Sequence, residues 1–269
     1  MRTVALRLAY DGGDFVGSQW QTNGRSVQGE LEGAWQQLTG MRERMMLAGR
    51  TDAGVHACGQ VASIRSATRL SCHELVRGLN GILPDDVAIY EAWPVDEGFH
   101  ARHTAIRRVY RYMVDAGVAP SPLLRRNALH ISAPLDIEAM TGAAQGLLGM
   151  HDFAVFADSP AEGSTVRRVD RVSWSRDEWW NHSVVVFEIA ANAFLRHMVR
   201  NIVGTLLLVG QHRIDAARFA ALFAGQAPRH VVRLAPAHGL CLMMVEYPHG
   251  GRAAAEASVA AREDTRGWE

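Results

Sequence analysis

Apolar residues along this chain change their period from two to about 3.6 and back, and they do so twice. Residues 3–10 alternate, with Val4, Leu6 and Leu8 on one side, which is the pattern of a strand. Ser26 then precedes Val27, Leu31, Ala34, Trp35 and Leu38, spaced as on a helix and ended by Gly40. Strands at 45–48 and 60–65 follow. Next comes a helix opened by the capping-box spacing of Ser71 and Glu74 and stopped near Asn80-Gly81, then a strand over 87–95. The order then resumes with a strand at 104–115 and a helix capped by Asp136, carrying Ile137, Met140, Ala144 and Leu147 and ended by Gly149. A hairpin of 166–174 with 184–190, helices at 194–209 and 215–223, and a strand at 240–247 complete it. This order predicts an α+β protein of two similar α/β halves, each a mainly antiparallel sheet with helices on one face, about a central cleft. The predicted division is 1–103 and 104–248, with 249–269, poor in core residues, as a flexible tail.

Between the strands at 45–48 and 60–65 lies Gly49-Arg50-Thr51-Asp52-Ala53-Gly54-Val55-His56-Ala57. Gly49 and Gly54 allow a sharp turn, and the loop carries one carboxylate, one guanidinium and one imidazole. An aspartate beside a fixed positive charge suits a nucleophile or base better than a proton donor. Asp-Ala-Gly is also an ordinary turn sequence, and the nine residues alone favour that reading.

Other segments point the loop toward chemistry. Tyr110 and Tyr112 alternate with Arg111 on a strand, so both rings face one side, either as core or as a ring that stacks on a base. Arg196, His197, Arg200 and Asn201 fall within one turn of an otherwise apolar helix, where they either pair internal carboxylates or face a cleft. The 28 basic residues balance 28 acidic ones, so net charge does not demand a polyanionic partner. Every basic residue is arginine, whose planar fork suits phosphates and bases. The arginines gather at 102–111, 125–126, 167–171 and 196–200, which permits nucleic-acid binding.

Three separated cysteines without a Cys-x-x-Cys pair predict free thiols and no zinc framework. Cys58, between Ala57 and Gly59, reads as a small residue in a packed loop rather than a nucleophile. The N-terminus has no signal-peptide pattern, and the most apolar run, 198–210, carries Arg200 and is too short to span a bilayer. A cytoplasmic protein without membrane contact is expected. Ligand spacing and phosphate-binding glycine loops are missing from the sequence, so neither cofactor nor metal is expected.

Seven motifs stand in order over residues 3–247: Tyr10-Asp11-Gly12, Ser26-Val27-Gln28, Ala48 through His56, Gly59-Gln60-Val61, Phe99-His100-Ala101-Arg102, Tyr110-Arg111-Tyr112, and Asn192 through Gly204. In these the chain closely resembles the TruA family of tRNA pseudouridine synthases. The resemblance implies a pseudouridine synthase fold with an RNA-binding cleft, and an isomerase acting on uridines 38–40 of the tRNA anticodon stem-loop. It implies that Asp52 is the catalytic aspartate and that Arg50 unstacks and positions the target nucleotide while pairing with Asp52. It also implies that Tyr110 stacks on the uracil, that Leu240 lines the base pocket, and that the enzyme is a homodimer without cofactor. The family has Gly-Trp-Gln where this chain has Gly17-Ser18-Gln19-Trp20. A non-catalytic RNA-binding protein on the same scaffold, or a small-molecule hydrolase using Asp52 and His56, would be the alternatives. A pure binder gains nothing from a carboxylate among phosphates.

Overall fold

Local chemistry sets most element boundaries. The computed structural model describes residues 1–158, 163–179, 182–224 and 228–248; the expected tail at 249–269 lies outside them. Ser26 accepts a bond from the Gly29 N–H and opens α1 (Val27–Thr39), which Gly40 ends at φ 75°. Ser71 and Glu74 form a complete capping box on α2 (Cys72–Asn80). Asp136 caps α3 (Ile137–Gln145), and Asp215 caps α5 (Ala216–Phe223). The helix α3 ends before Gly149, which instead opens a strand.

The remaining long helix, α4 (Met198–Gly210), is shorter than its apolar spacing predicts. The expected start at residue 194 is wrong because the backbone from 192 to 197 is engaged elsewhere. The Asn192 N–H donates to the Arg168 carbonyl, and the Arg196 carbonyl accepts from Asp158. His197, at the N-cap, sits in the left-handed region at φ 62°, uncommon for a residue with a Cβ.

Among the described residues, ten strands form one sheet. They are β1 (Arg2–Tyr10), β2 (Met46–Leu47), β3 (His56–Ser66), β4 (Val87–Val95), β5 (Arg107–Asp115), β6 (Leu129–His130), β7 (Gly149–Asp152), β8 (Val166–Trp179), β9 (His182–Ala191) and β10 (Leu240–Glu246). The main order is β4-β1-β3-β10-β5-β9-β8-β7, with β2 beside β3 and β6 beside β5. Pairing is mainly antiparallel; β10–β3 and β5–β6 are parallel. The expected separate sheet for each half is therefore corrected. The last strand, β10, fills the gap between β3 and β5 and makes the sheet continuous. Left apart, β3 and β5 would each present an open edge, and one strand satisfies both. Period-two alternation marks a strand without naming its partner.

The β3–β10 joint is close. A Cβ on Gly59 would lie 2.2 Å from the Met243 carbonyl oxygen, where β10 bulges between Leu242 and Met244. Gly59→Ala is expected to lower stability by about 1–3 kcal/mol through this overlap. An unchanged urea midpoint would show that the joint opens freely. The main buried core runs across the sheet, from Leu6, Leu31 and Trp35 through Tyr112 and Leu242 to Phe187 and Leu206, and a smaller cluster gathers Met113, Leu124, Ala128, Val184 and Val186. Among the described residues, no helix is long and apolar enough to cross a membrane.

Candidate active site

The loop from Gly49 to Val55 is fastened at each end before it presents Asp52. The fully buried Gln60 side chain donates to the Gly49 carbonyl at 2.8 Å and accepts from the Gly49 N–H at 3.2 Å. The Ser18 N–H donates to the Thr51 carbonyl at 3.0 Å, and the Thr51 N–H returns a bond to Ser18 Oγ at 2.8 Å. Ser18, where the resembled family has tryptophan, thus holds the backbone beside Asp52. Gly17, at φ 130°, makes a bridge with Asp52 itself. Tyr10 Oη lies 2.9 Å from Thr51 Oγ1, and burial pushes its hydroxyl up to about 12, so it stays neutral.

His56 closes the far end. Its Nδ1 lies 3.0 Å from the Gly12 nitrogen and 3.1 Å from Asp11 Oδ1, and its Nε2 lies 2.8 Å from the Arg126 carbonyl oxygen. It is a buried fastening between the β1 turn and the segment after β5, rather than a reactive imidazole.

Asp52 is half-buried, and its Oδ2 meets two groups from the α4 region. Arg200 Nη1 lies 3.3 Å away and His197 Nε2 also 3.3 Å away. Arg200 is fixed in turn by donating from Nε to the Ala235 carbonyl at 2.8 Å. His197 is fixed by Asp158, whose Oδ2 is 3.0 Å from Nδ1. The left-handed turn at His197, just before α4 begins, sets the ring between Asp52 and Asp158. The cation on Asp52 is therefore Arg200 and not Arg50. The expected Arg50–Asp52 pairing is corrected: Arg50 is exposed and, among the described residues, takes part in no ion pair. Sequence spacing reaches neighbours a few residues away, whereas Asp52 and Arg200 are 148 residues apart.

Tyr110 and Leu240 flank this loop. The Tyr110 hydroxyl lies 3.5 Å from where a Gly49 Cβ would be, three residues before Asp52. Burial above all, with the nearby Asp52 charge, raises its pKa far above the usual range, so it offers a ring and a neutral hydroxyl. The ring is only 7% exposed and packs edge-on against Phe194 at 5.1 Å. Leu240 is buried opposite Tyr112 at the start of β10, three residues after Ala237, which touches the Gly54 position.

The arginine clusters resolve into distinct tasks. Arg107 pairs with Asp170 and Glu246, and Arg111 and Arg171 both pair with Glu188. Arg126 pairs with Asp11 and Asp14. Arg108 is buried and donates only to carbonyls, those of Ala48, Arg102, Ala105 and Asn192. It ties the strand entering the Asp52 loop to the turn entering α4. Nothing in the sequence distinguished it from its neighbours Arg107 and Arg111. Arg50 and Arg196 remain exposed beside the site.

A carboxylate braced by a guanidinium and an imidazole can act as a nucleophile or base toward a ligand reaching its free side. Comparison with known proteins agrees in kind. Residues 143–248 match a family model described as tRNA pseudouridine synthase. A protein of Roseiflexus castenholzii named tRNA pseudouridine synthase A is 60% identical over 261 residues, covering 97% of this chain and 96% of its own. Proteins of the same name from Chloroflexus aurantiacus and Moorella thermoacetica are 52% and 41% identical, over 93% and 92% of this chain. They are covered over 90% and 100% of their own lengths. The chain belongs to the tRNA pseudouridine synthase family, whose members are isomerases.

Proposed function

We propose that this protein converts uridine to pseudouridine at positions 38–40 of the tRNA anticodon stem-loop, with Asp52 as its catalytic group. The carrying observation is the half-buried Asp52 carboxylate, held by Arg200 and His197 on a loop fastened at both ends. The reaction breaks the N1–C1′ bond, turns the uracil in place and rejoins it through C5, from which a proton leaves. Asp52 serves this by attacking the ribose or the base, or by taking the C2′ proton. In each case the acting atom is a carboxylate oxygen, and the other elements keep it in place.

The target nucleotide must first leave its stack, which costs a few kcal/mol. Arg50, exposed and without an ion pair among the described residues, is positioned to support the opened strand. Tyr110 stacks on the uracil, worth about 1–3 kcal/mol per base, and Leu240 supplies an apolar wall. The two halves, 1–103 and 104–248, form the RNA-binding cleft between them, in a cytoplasmic homodimer that works without cofactor or metal.

Tyr110 gives a sharp test. Among the described residues its hydroxyl has no hydrogen-bond partner. Tyr110→Phe is therefore expected to stay within a few-fold of wild type, while Tyr110→Ala loses about 10- to 100-fold in kcat/KM. Equal losses in the two variants would assign the role to the hydroxyl. The overall reading is tested by incubating the protein with anticodon stem-loop RNA and mapping pseudouridine. A protein that bound the RNA and left every uridine unchanged would be a binder on this scaffold.

A further inference from the structure

On the face of the sheet away from the tyrosines, two of the three cysteines meet across the β3–β10 joint. Cys241 follows Leu240 and precedes Leu242, both buried on the Tyr110 side, so strand alternation turns its sulfur to the opposite face. Cys58 lies on β3, exposed rather than packed in a loop as the sequence suggests. The two Sγ atoms are 3.4 Å apart, with Cys241 as donor to Cys58. That bond, against burial and with the Arg111 charge adding, brings the Cys58 thiol down to about 7. The same contact and burial push Cys241 up. The pair is thus asymmetric, one accessible and readily ionised sulfur beside one held protonated. Cys72, on α2, has no such neighbour.

We propose that Cys58 and Cys241 form a redox-active dithiol that takes hydroperoxides, Cys58 as the attacking sulfur and Cys241 as the resolving one. Cys58 Sγ attacks a peroxide oxygen; an S–O bond forms, the O–O bond breaks, and the alcohol or water leaves with the proton. Cys241 Sγ then attacks Cys58 Sγ; the S–S bond forms, the S–O bond breaks, and hydroxide leaves as water with the Cys241 proton. The two thiols give up two electrons and two protons, and the hydroperoxide is reduced to an alcohol and water. The product pins β3 to β10, the strands that join the two halves of the sheet. The sulfurs already touch, although Cys241 stands opposite His56 in the register, two residues from Cys58, so the link draws the two strands together along this diagonal.

The test treats the intact reduced protein with hydrogen peroxide and reads thiol count, whole-chain mass and peptide maps. The expected result is loss of two thiols and two hydrogens, an intrachain Cys58–Cys241 link, and Cys72 still alkylatable. Dithiothreitol restores all three thiols. In Cys241→Ser the link is absent, and Cys58 is trapped by dimedone as its sulfenic acid. In Cys58→Ser, Cys241 stays reduced. The proposal is overturned if all three thiols survive in the wild type, if Cys58 proceeds to sulfinic acid beside an intact Cys241, or if Cys72 is consumed as fast as Cys58. The readout is independent of RNA modification, so it stands or fails apart from the proposed activity.

Discussion

Asp52→Asn is expected to cut pseudouridine formation by on the order of 10⁴-fold or more while tRNA affinity stays within a few-fold of wild type. The substitution keeps shape and an oxygen facing Arg200 and His197, so the loop, held through Gln60, Ser18 and Gly17, has no reason to move. What it removes is the negative charge and the lone pairs of an ionised oxygen, which each route for the first bond requires. In the proposed function binding rests on phosphate contacts and stacking, so one fewer carboxylate among phosphates would help it slightly. The expected signature is thus a collapse in kcat without a rise in Kd. A variant retaining a tenth of wild-type turnover would remove Asp52 from the chemistry.

Arg200→Met carries the second-largest effect. Arg200 is held by the Ala235 carbonyl and touches Asp52, so its loss leaves a half-buried carboxylate with His197 alone. A fall of about 10²–10³-fold in kcat is expected, the size seen when one fixed electrostatic partner of a reacting group is deleted. Arg200→Lys restores charge but not the second bond, and should recover part of it. Measuring Kd against salt separates this from a phosphate contact. If Arg200 served the RNA backbone instead, binding would weaken and the salt slope would fall by about one.

The Asp52 loop was legible because two glycines and a cluster of polar types interrupt an apolar pattern. The α4 segment was legible as a choice, since Arg200 in an apolar helix had to find either a carboxylate or a cleft; it found the carboxylate. That this carboxylate is Asp52 depends on the sheet bringing residue 52 beside residue 200, and periodicity has no information about such distant contacts. The start of α4 at Met198 rather than 194 has a related cause. Phe194 and Leu195 keep helical spacing, but the bonds to Arg168 and Asp158 take their neighbours' backbone out of the helix. The arginine stripes show the limit of residue type. Arg107, Arg108 and Arg111 read alike, yet two neutralise carboxylates and one fastens four carbonyls. The single sheet was hidden because β10 reads as a strand in any partnership.

The role of Asp52 is measured most directly by tritium release from tRNA transcripts carrying uridine labelled at C5. Rejoining the base through C5 expels that tritium, so release counts completed isomerisations. Wild-type protein is predicted to release label from anticodon-stem uridines, with Asp52→Asn binding the same transcripts and releasing none above background. Release by Asp52→Asn at the wild-type rate would contradict the account.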